Sequence, residues 1–133
     1  MTLLGTRLRP GESIFDQLIS AAKKAFVSGE FAPGQSFPSV RTLAAELKIH
    51  PNTAHKVVQY LIQEGWLASK LGLGTVVAAP PETSSGERST ILQQQAEQIV
   101  IEAKRLGLDL GDVTDVIESE WIKLEKPLEV KRR

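Results

Sequence analysis

Apolar residues recur along most of this chain at intervals of three and four, the period of a helix with one buried side. Between residues 13 and 28, Ile14, Leu18, Ala22, Ala25 and Phe26 share a face while Asp16, Lys23 and Lys24 lie on others. The pattern predicts a first helix capped by Ser13 and stopped at Gly29. The next stretch, 29 to 38, holds two glycines and two prolines and reads as a turn-rich connection that Phe31 and Phe37 anchor to the core. A second helix of two to three turns opens at Ser39 with the stripe Val40, Leu43, Ala44 and Leu47. Lys48, Ile49, His50 and Pro51 form a tight turn, with Pro51 at the first position of a third helix, where proline is welcome. That helix runs to Glu64-Gly65 and turns Ala54, Val57, Val58, Leu61 and Ile62 to one side. A short helix, a brief turn and a second amphipathic helix make a helix-turn-helix pattern.

The period then changes. Residues 66–69 and 75–78 read as two short strands, and Lys70-Leu71-Gly72-Leu73-Gly74 between them suits a hairpin tip, which in a winged helix-turn-helix lies beside the third helix. Residues 80–89, rich in proline, serine and glutamate, read as a linker. Beyond it Leu92, Ala96, Ile99, Val100, Ala103 and Leu106 form a stripe of the kind found in helix-helix seams, and Gly107 ends that helix. Asp109 can cap a last helix, with Asp112 three places on, whose apolar positions are Leu110, Val113, Ile117 and Leu124, with Trp121 close to the same face. Two helices of about four turns enclose little, so this apolar surface needs a partner. The organisation is a winged domain over 1–79, the linker, a helical hairpin over 90–126 and a charged tail over 127–133. The fold class is mainly α with a small β-hairpin wing.

Charge changes the picture more than composition does. The 133 residues carry no net charge, yet residues 1–79 hold eight Lys/Arg against five Asp/Glu, a net of +3, and the remainder is −3. A basic front and an acidic back point to separate tasks, one facing an anion and the other solvent or a partner protein. No cysteine is present, so a disulfide framework and a thiolate metal site are excluded. No apolar run reaches the roughly 18 residues of a membrane span, and the N-terminus lacks a signal peptide's apolar core, so a cytoplasmic location is expected.

The third helix carries the most telling chemistry. Opposite its apolar stripe stand Asn52, Thr53, His55, Lys56, Gln59 and Gln63, groups that donate to phosphates or hydrogen-bond base edges. An ordinary solvated helix face has a similar composition, and Thr53 can serve simply as a local hydrogen bonder near the helix start. His50 and His55 are five apart, not the four that would put two ligands on one face, so no metal site is expected, nor any cofactor. Trp121 fits an interface better than a ligand pocket. The chain shows no nucleophile paired with a base and no phosphate-cradling loop, so an enzyme is not expected.

Four motifs follow one another in Ser28 to Val77: Gly29 with Pro33-Gly34; Pro38-Ser39-Val40-Arg41-Thr42-Leu43-Ala44; Asn52-Thr53 with Glu64-Gly65; and Gly72-Leu73-Gly74-Thr75. Together they resemble the DNA-binding domain of the GntR family of bacterial transcription regulators. The resemblance implies a DNA-contacting set of Ser39, Arg41, Asn52, Thr53, His55, Lys56 and Gln59, with Lys70, Gly72, Gly74 and Thr75 in the wing. Pro51 and His55 stand where relatives often carry arginine, so arginine-based base preferences do not transfer, and Val76 replaces a frequent phenylalanine. The short C-terminal part resembles the YtrA subfamily, which dimerises through a pair of helices. That implies a homodimer interface of Leu92, Ala96, Ile99, Ala103, Leu106, Val113, Ile117 and Trp121, and a two-fold double-stranded DNA operator as partner. A dimeric repressor is the leading expectation. Two alternatives stand beside it: a winged protein-interaction module, and a regulator sensing a small-molecule effector between hairpin and winged domain.

Overall fold

A computed structural model describes residues 3–125; the predicted tail over 127–133 and position 126 lie outside them. The elements are a 3-10 helix at Leu3–Gly5, helices α1 (Ile14–Val27), α2 (Val40–Leu47) and α3 (Pro51–Gln63), strands β1 (Leu67–Lys70) and β2 (Gly74–Val77), and helices α4 (Ser85–Arg105) and α5 (Leu110–Lys123). Mainly helical with one antiparallel hairpin, this is the winged helix-turn-helix class expected from the sequence. The chain divides into two compact units, the second being Pro81–Glu125.

In the first unit each helix starts where a side chain accepts an otherwise orphaned backbone N–H. Ser13 Oγ accepts from the Asp16 N–H and Ser39 Oγ from the Thr42 N–H, both at 3.1 Å. At α3 the cap is His50, whose Nδ1 accepts from the Asn52 N–H at 3.0 Å, and Pro51 opens the helix. Between α2 and α3, Lys48 adopts a left-handed conformation at φ 55°, and its N–H donates to the Ala44 carbonyl. That residue makes the sharp bend of the helix-turn-helix.

Leu18, Ala22 and Ala25 of α1, Leu43 and Leu47 of α2, and Ala54, Val57, Val58 and Leu61 of α3 converge on one core with Phe37, Leu67 and Val77. Two details depart from the sequence pattern. Ile14, assigned to the buried face of α1, is 41% exposed, whereas Gln17 and Ile19 are buried. Gln17 is accommodated because its amide pairs with the chain before α1, accepting from the Arg9 N–H and donating to the Arg9 and Glu12 carbonyls. Leu3 is also buried, and its N–H donates to the Glu30 carboxylate.

The strands lie one residue from the predicted bounds, paired from Leu67 with Val77 to Lys70 with Gly74. The connection between α1 and α2 adds to this sheet, since Ser36 bridges Val76 and the Phe37 N–H donates to the Thr75 carbonyl at 2.8 Å. The hairpin is therefore braced from its second strand, and the Phe37 ring packs at a tilt against those of Phe26 and Phe31.

The second unit corrects the linker. Residues 85–89, read as linker, belong to α4, a helix of 21 residues. Its start is a capping box: Ser84 Oγ accepts from the Glu87 N–H while the Glu87 carboxylate accepts from the Ser84 N–H. Those bonds from Ser84 hold the Glu87 carboxyl below the usual carboxylate range. Residues 78–84, which include both prolines, carry no regular structure, and the helix begins at Ser85. A second capping box, Asp109 with Asp112, opens α5 as predicted.

Candidate nucleic-acid interface

The burial along α3 separates two faces with little overlap. Ala54, Val57, Val58 and Leu61 are buried, while Asn52, His55, Lys56 and Gln59 are exposed and Thr53 is half-buried at the junction. No acidic residue occurs between Pro51 and Gln63. The exposed face therefore offers amide, imidazole and ammonium groups with no carboxylate to repel a phosphate.

The neighbouring cations have the same character. Arg41, in the first turn of α2, is exposed, as are Lys48 in the turn and Lys70 at the end of β1. Among the described residues none of these, nor Lys56, makes an ion pair; the ion pairs are Arg9 with Glu12, Arg105 with Glu102 and Lys123 with Glu120. An unpaired, exposed cation keeps its full charge for a polyanion. Ser39 is different, because its hydroxyl caps α2 and also donates to Thr42 Oγ1 at 3.0 Å. It shapes the turn before Arg41. The pairing of Thr53 is likewise local, its N–H donating to the His50 carbonyl.

Within this unit the contiguity of α2, α3 and β1 brings the predicted residues of the two helices and the wing onto a common scaffold. Lys70 pairs across the ladder with Gly74, and Gly72 and Gly74 have φ of 82° and 76°, values an L side chain resists. Lys48 was not among the residues picked from the sequence, although a basic residue in the turn of a helix-turn-helix was a readable signal. Leu71 and Leu73 carry no such signal in the sequence. They are 105% and 63% exposed at the wing tip.

Residues 15–77 match the family model described as bacterial regulatory proteins, gntR family. Over 116 residues the chain is 32% identical to the HTH-type transcriptional repressor YtrA of Bacillus subtilis (strain 168), covering 86% of this chain and 85% of that one. The chain belongs to the gntR family. It is a YtrA-like member, a DNA-binding transcription regulator, since the match to the repressor extends well past the winged domain. Among solved structures, a transcriptional antiterminator from Listeria monocytogenes EGD-e shares the fold with a TM-score of 0.76 at 19% identity, over 93% of this chain and 95% of that one. YtrA from Sulfolobus acidocaldarius, a GntR-family transcription factor, superposes with a TM-score of 0.52 at 21% identity, over 87% and 94% of the two chains.

Of the hairpin positions predicted at a dimer interface, Leu92, Ile99, Leu106, Ile117 and Trp121 are exposed apolar side chains, and Ala96 is exposed too. Ala103 differs from these: it is buried within the single chain, at 7% exposure. Val113 is half-buried. No helix among the described residues is long and apolar enough to cross a membrane.

Proposed function

We propose that this gntR-family regulator is a dimeric cytoplasmic repressor that binds a two-fold DNA operator. In this reading α3 enters the major groove, Asn52, Thr53 and Gln59 address base edges, and Arg41 and Lys56 hold phosphates on either side. His55 lies on the same exposed face, and Lys70 to Thr75 form the wing. The observation that carries the reading is the acid-free exposed face of α3, together with exposed Arg41, Lys56 and Lys70 that make no ion pair among the described residues. The name of the Bacillus relative supports repression as the direction of control.

Dimerisation is supported by geometry on the DNA side and by surface chemistry on the protein side. Two recognition helices about 34 Å apart meet successive major grooves on one face of the duplex. The exposed apolar residues of α4 and α5, Leu92, Ile99, Leu106, Ile117 and Trp121 among them, supply a surface that pairing would cover.

The test is selection from a random double-stranded DNA library with the full chain, followed by fluorescence anisotropy on the recovered duplex. A palindromic consensus, bound with an affinity that falls steeply between about 50 and 200 mM salt, supports the proposal. Failure to enrich any sequence refutes it.

A further inference from the structure

The wing tip has a chemistry that phosphate binding does not use. In a unit whose large apolar side chains are mostly buried, Leu71 is 105% exposed and Leu73 is 63% exposed. They flank Gly72, and the Leu73 N–H donates to the Lys70 carbonyl at 3.0 Å, closing a tight turn. A Cβ built on Gly72 or Gly74 would meet nothing within 4 Å, so the space beside the two tip glycines is open. Its base is held firmly: the Val77 N–H donates to the Gln35 carbonyl at 2.9 Å and the Gly34 N–H to the Val77 carbonyl at 2.8 Å. A braced stalk thus presents two leucines to the surroundings. From residue 65 to 79 the only charged residue is Lys70, and no acid is present.

We propose that Leu71 and Leu73 form an apolar tip that packs into the DNA minor groove and selects A·T pairs there. The inference rests on the DNA-binding reading above and deepens it. The groove is about 6 Å wide, which admits a narrow turn but not a helix. Its sugar walls are apolar, and leucine is among the side chains that minor-groove proteins insert. The floor supplies the selectivity. A G·C pair presents the guanine amino donor in the minor groove, whereas A·T presents only acceptors. A leucine pressed against that amino group can accept no hydrogen bond and displaces the water that did, so G·C is penalised. The acid-free surroundings and Lys70 make the approach to a polyanion favourable. Because α3 leads directly into β1, with the Trp66 N–H bonded to the Leu61 carbonyl at 2.9 Å, helix and wing belong to one scaffold and can engage one duplex together.

The salt dependence separates this contact from a phosphate contact. Apolar packing releases no counterions, whereas each neutralised phosphate adds about 0.9 to the slope of log affinity against log salt. The experiment uses the full chain and the duplex recovered by selection, with the flanking A·T positions replaced by G·C or by inosine·C. Inosine lacks the amino group yet keeps guanine's major-groove edge. The expected result is that G·C substitution weakens binding about tenfold and inosine·C restores it. Leu71→Ser should weaken binding to the original duplex by roughly five- to tenfold with an unchanged salt slope, and should abolish the discrimination between G·C and inosine·C. Lys70→Ala should lower the slope by about one while leaving that discrimination intact.

Leu71 is fully exposed, so its substitution is not expected to alter the fold, and a circular-dichroism melt checks this. Equal affinity and equal discrimination in Leu71→Ser overturn the proposal while leaving DNA binding by α3 standing. Leu71-dependent capture by anionic phospholipid vesicles, with DNA binding unaffected, also overturns it and assigns the tip to a membrane surface. Failure of the unaltered chain to select any duplex would instead refute the DNA-operator reading itself.

Discussion

The two units of this chain bury their apolar residues to very different extents. In the first, Leu61 and Ala54 are completely buried and Leu18, Leu43, Val57 and Leu67 nearly so. In the second, Ala103 is the one buried hydrophobic among the described residues, while twelve large apolar side chains from Ile91 to Ile122 are at least 43% exposed. The helices of the second unit are nonetheless well begun, each with a complete capping box. Local structure and core formation are thus uncoupled. The winged unit carries its own core, whereas the helical unit has well-specified helices whose apolar surface stays exposed in the single chain.

The largest expected effect comes from opening the first core. Leu61→Ala should lower the unfolding free energy of the winged unit by about 3–4 kcal/mol, measured by urea denaturation, because a fully buried leucine leaves both lost transfer energy and a cavity. The same change at exposed Leu92 should have much less effect on the isolated chain and act instead on association. If Leu92→Ala proved as damaging as Leu61→Ala at protein concentrations too low for assembly, the contrast between the units would collapse.

Next in size is the assembly itself. Ile99→Asp places a carboxylate in the exposed stripe of α4 and should convert a dimer to a monomer in light scattering, with DNA affinity falling about a hundredfold or more as the two half-sites lose their linkage. The winged unit should melt as before. Arg41→Ala is the mirror case: dimerisation and stability unchanged, DNA affinity down about tenfold and the salt slope reduced by about one.

A smaller effect sharpens the account of α4. Ser84→Ala removes the cap and should weaken that helix by about 1 kcal/mol, read as faster amide exchange over its first two turns. The pH dependence has a definite sign. Because the Glu87 carboxyl is held below its usual range by the bonds from Ser84, its contribution is present above the unfolded value and disappears as pH falls through the folded one. Protection at the start of α4 should therefore drop on acidification into that range, and Glu87→Gln should flatten the response.

What the sequence made legible and what it concealed follow from the range of the interactions. Pro51, Ser13, Ser39 and Asp109 act on their own neighbours, and the helix starts they mark were readable. The stripe of α3 was readable because four of its positions are buried by a period the sequence repeats. The start of α4 was missed although Ser84 and Glu87 have the spacing of a capping box, since the prolines and serines around them argued for a linker. Burial of Leu3 and exposure of Ile14 depend on how the N-terminal segment crosses the core, which periodicity does not encode. The bridge from Ser36 to Val76 joins residues 40 apart and was equally hidden. For the interface, the polar face of α3 and Arg41 were visible as residue types; that Ser39 is occupied in capping, and that Arg41, Lys56 and Lys70 make no ion pair among the described residues, emerged from the geometry.

The central claim is that two copies of this chain read one two-fold DNA site. Sedimentation of the full chain with its selected duplex, combined with hydroxyl-radical footprinting of the same complex, tests it directly. The account predicts two chains per duplex and two symmetric protected patches whose centres lie about one helical turn, or a whole number of turns, apart. One chain per duplex with a single protected patch would contradict it.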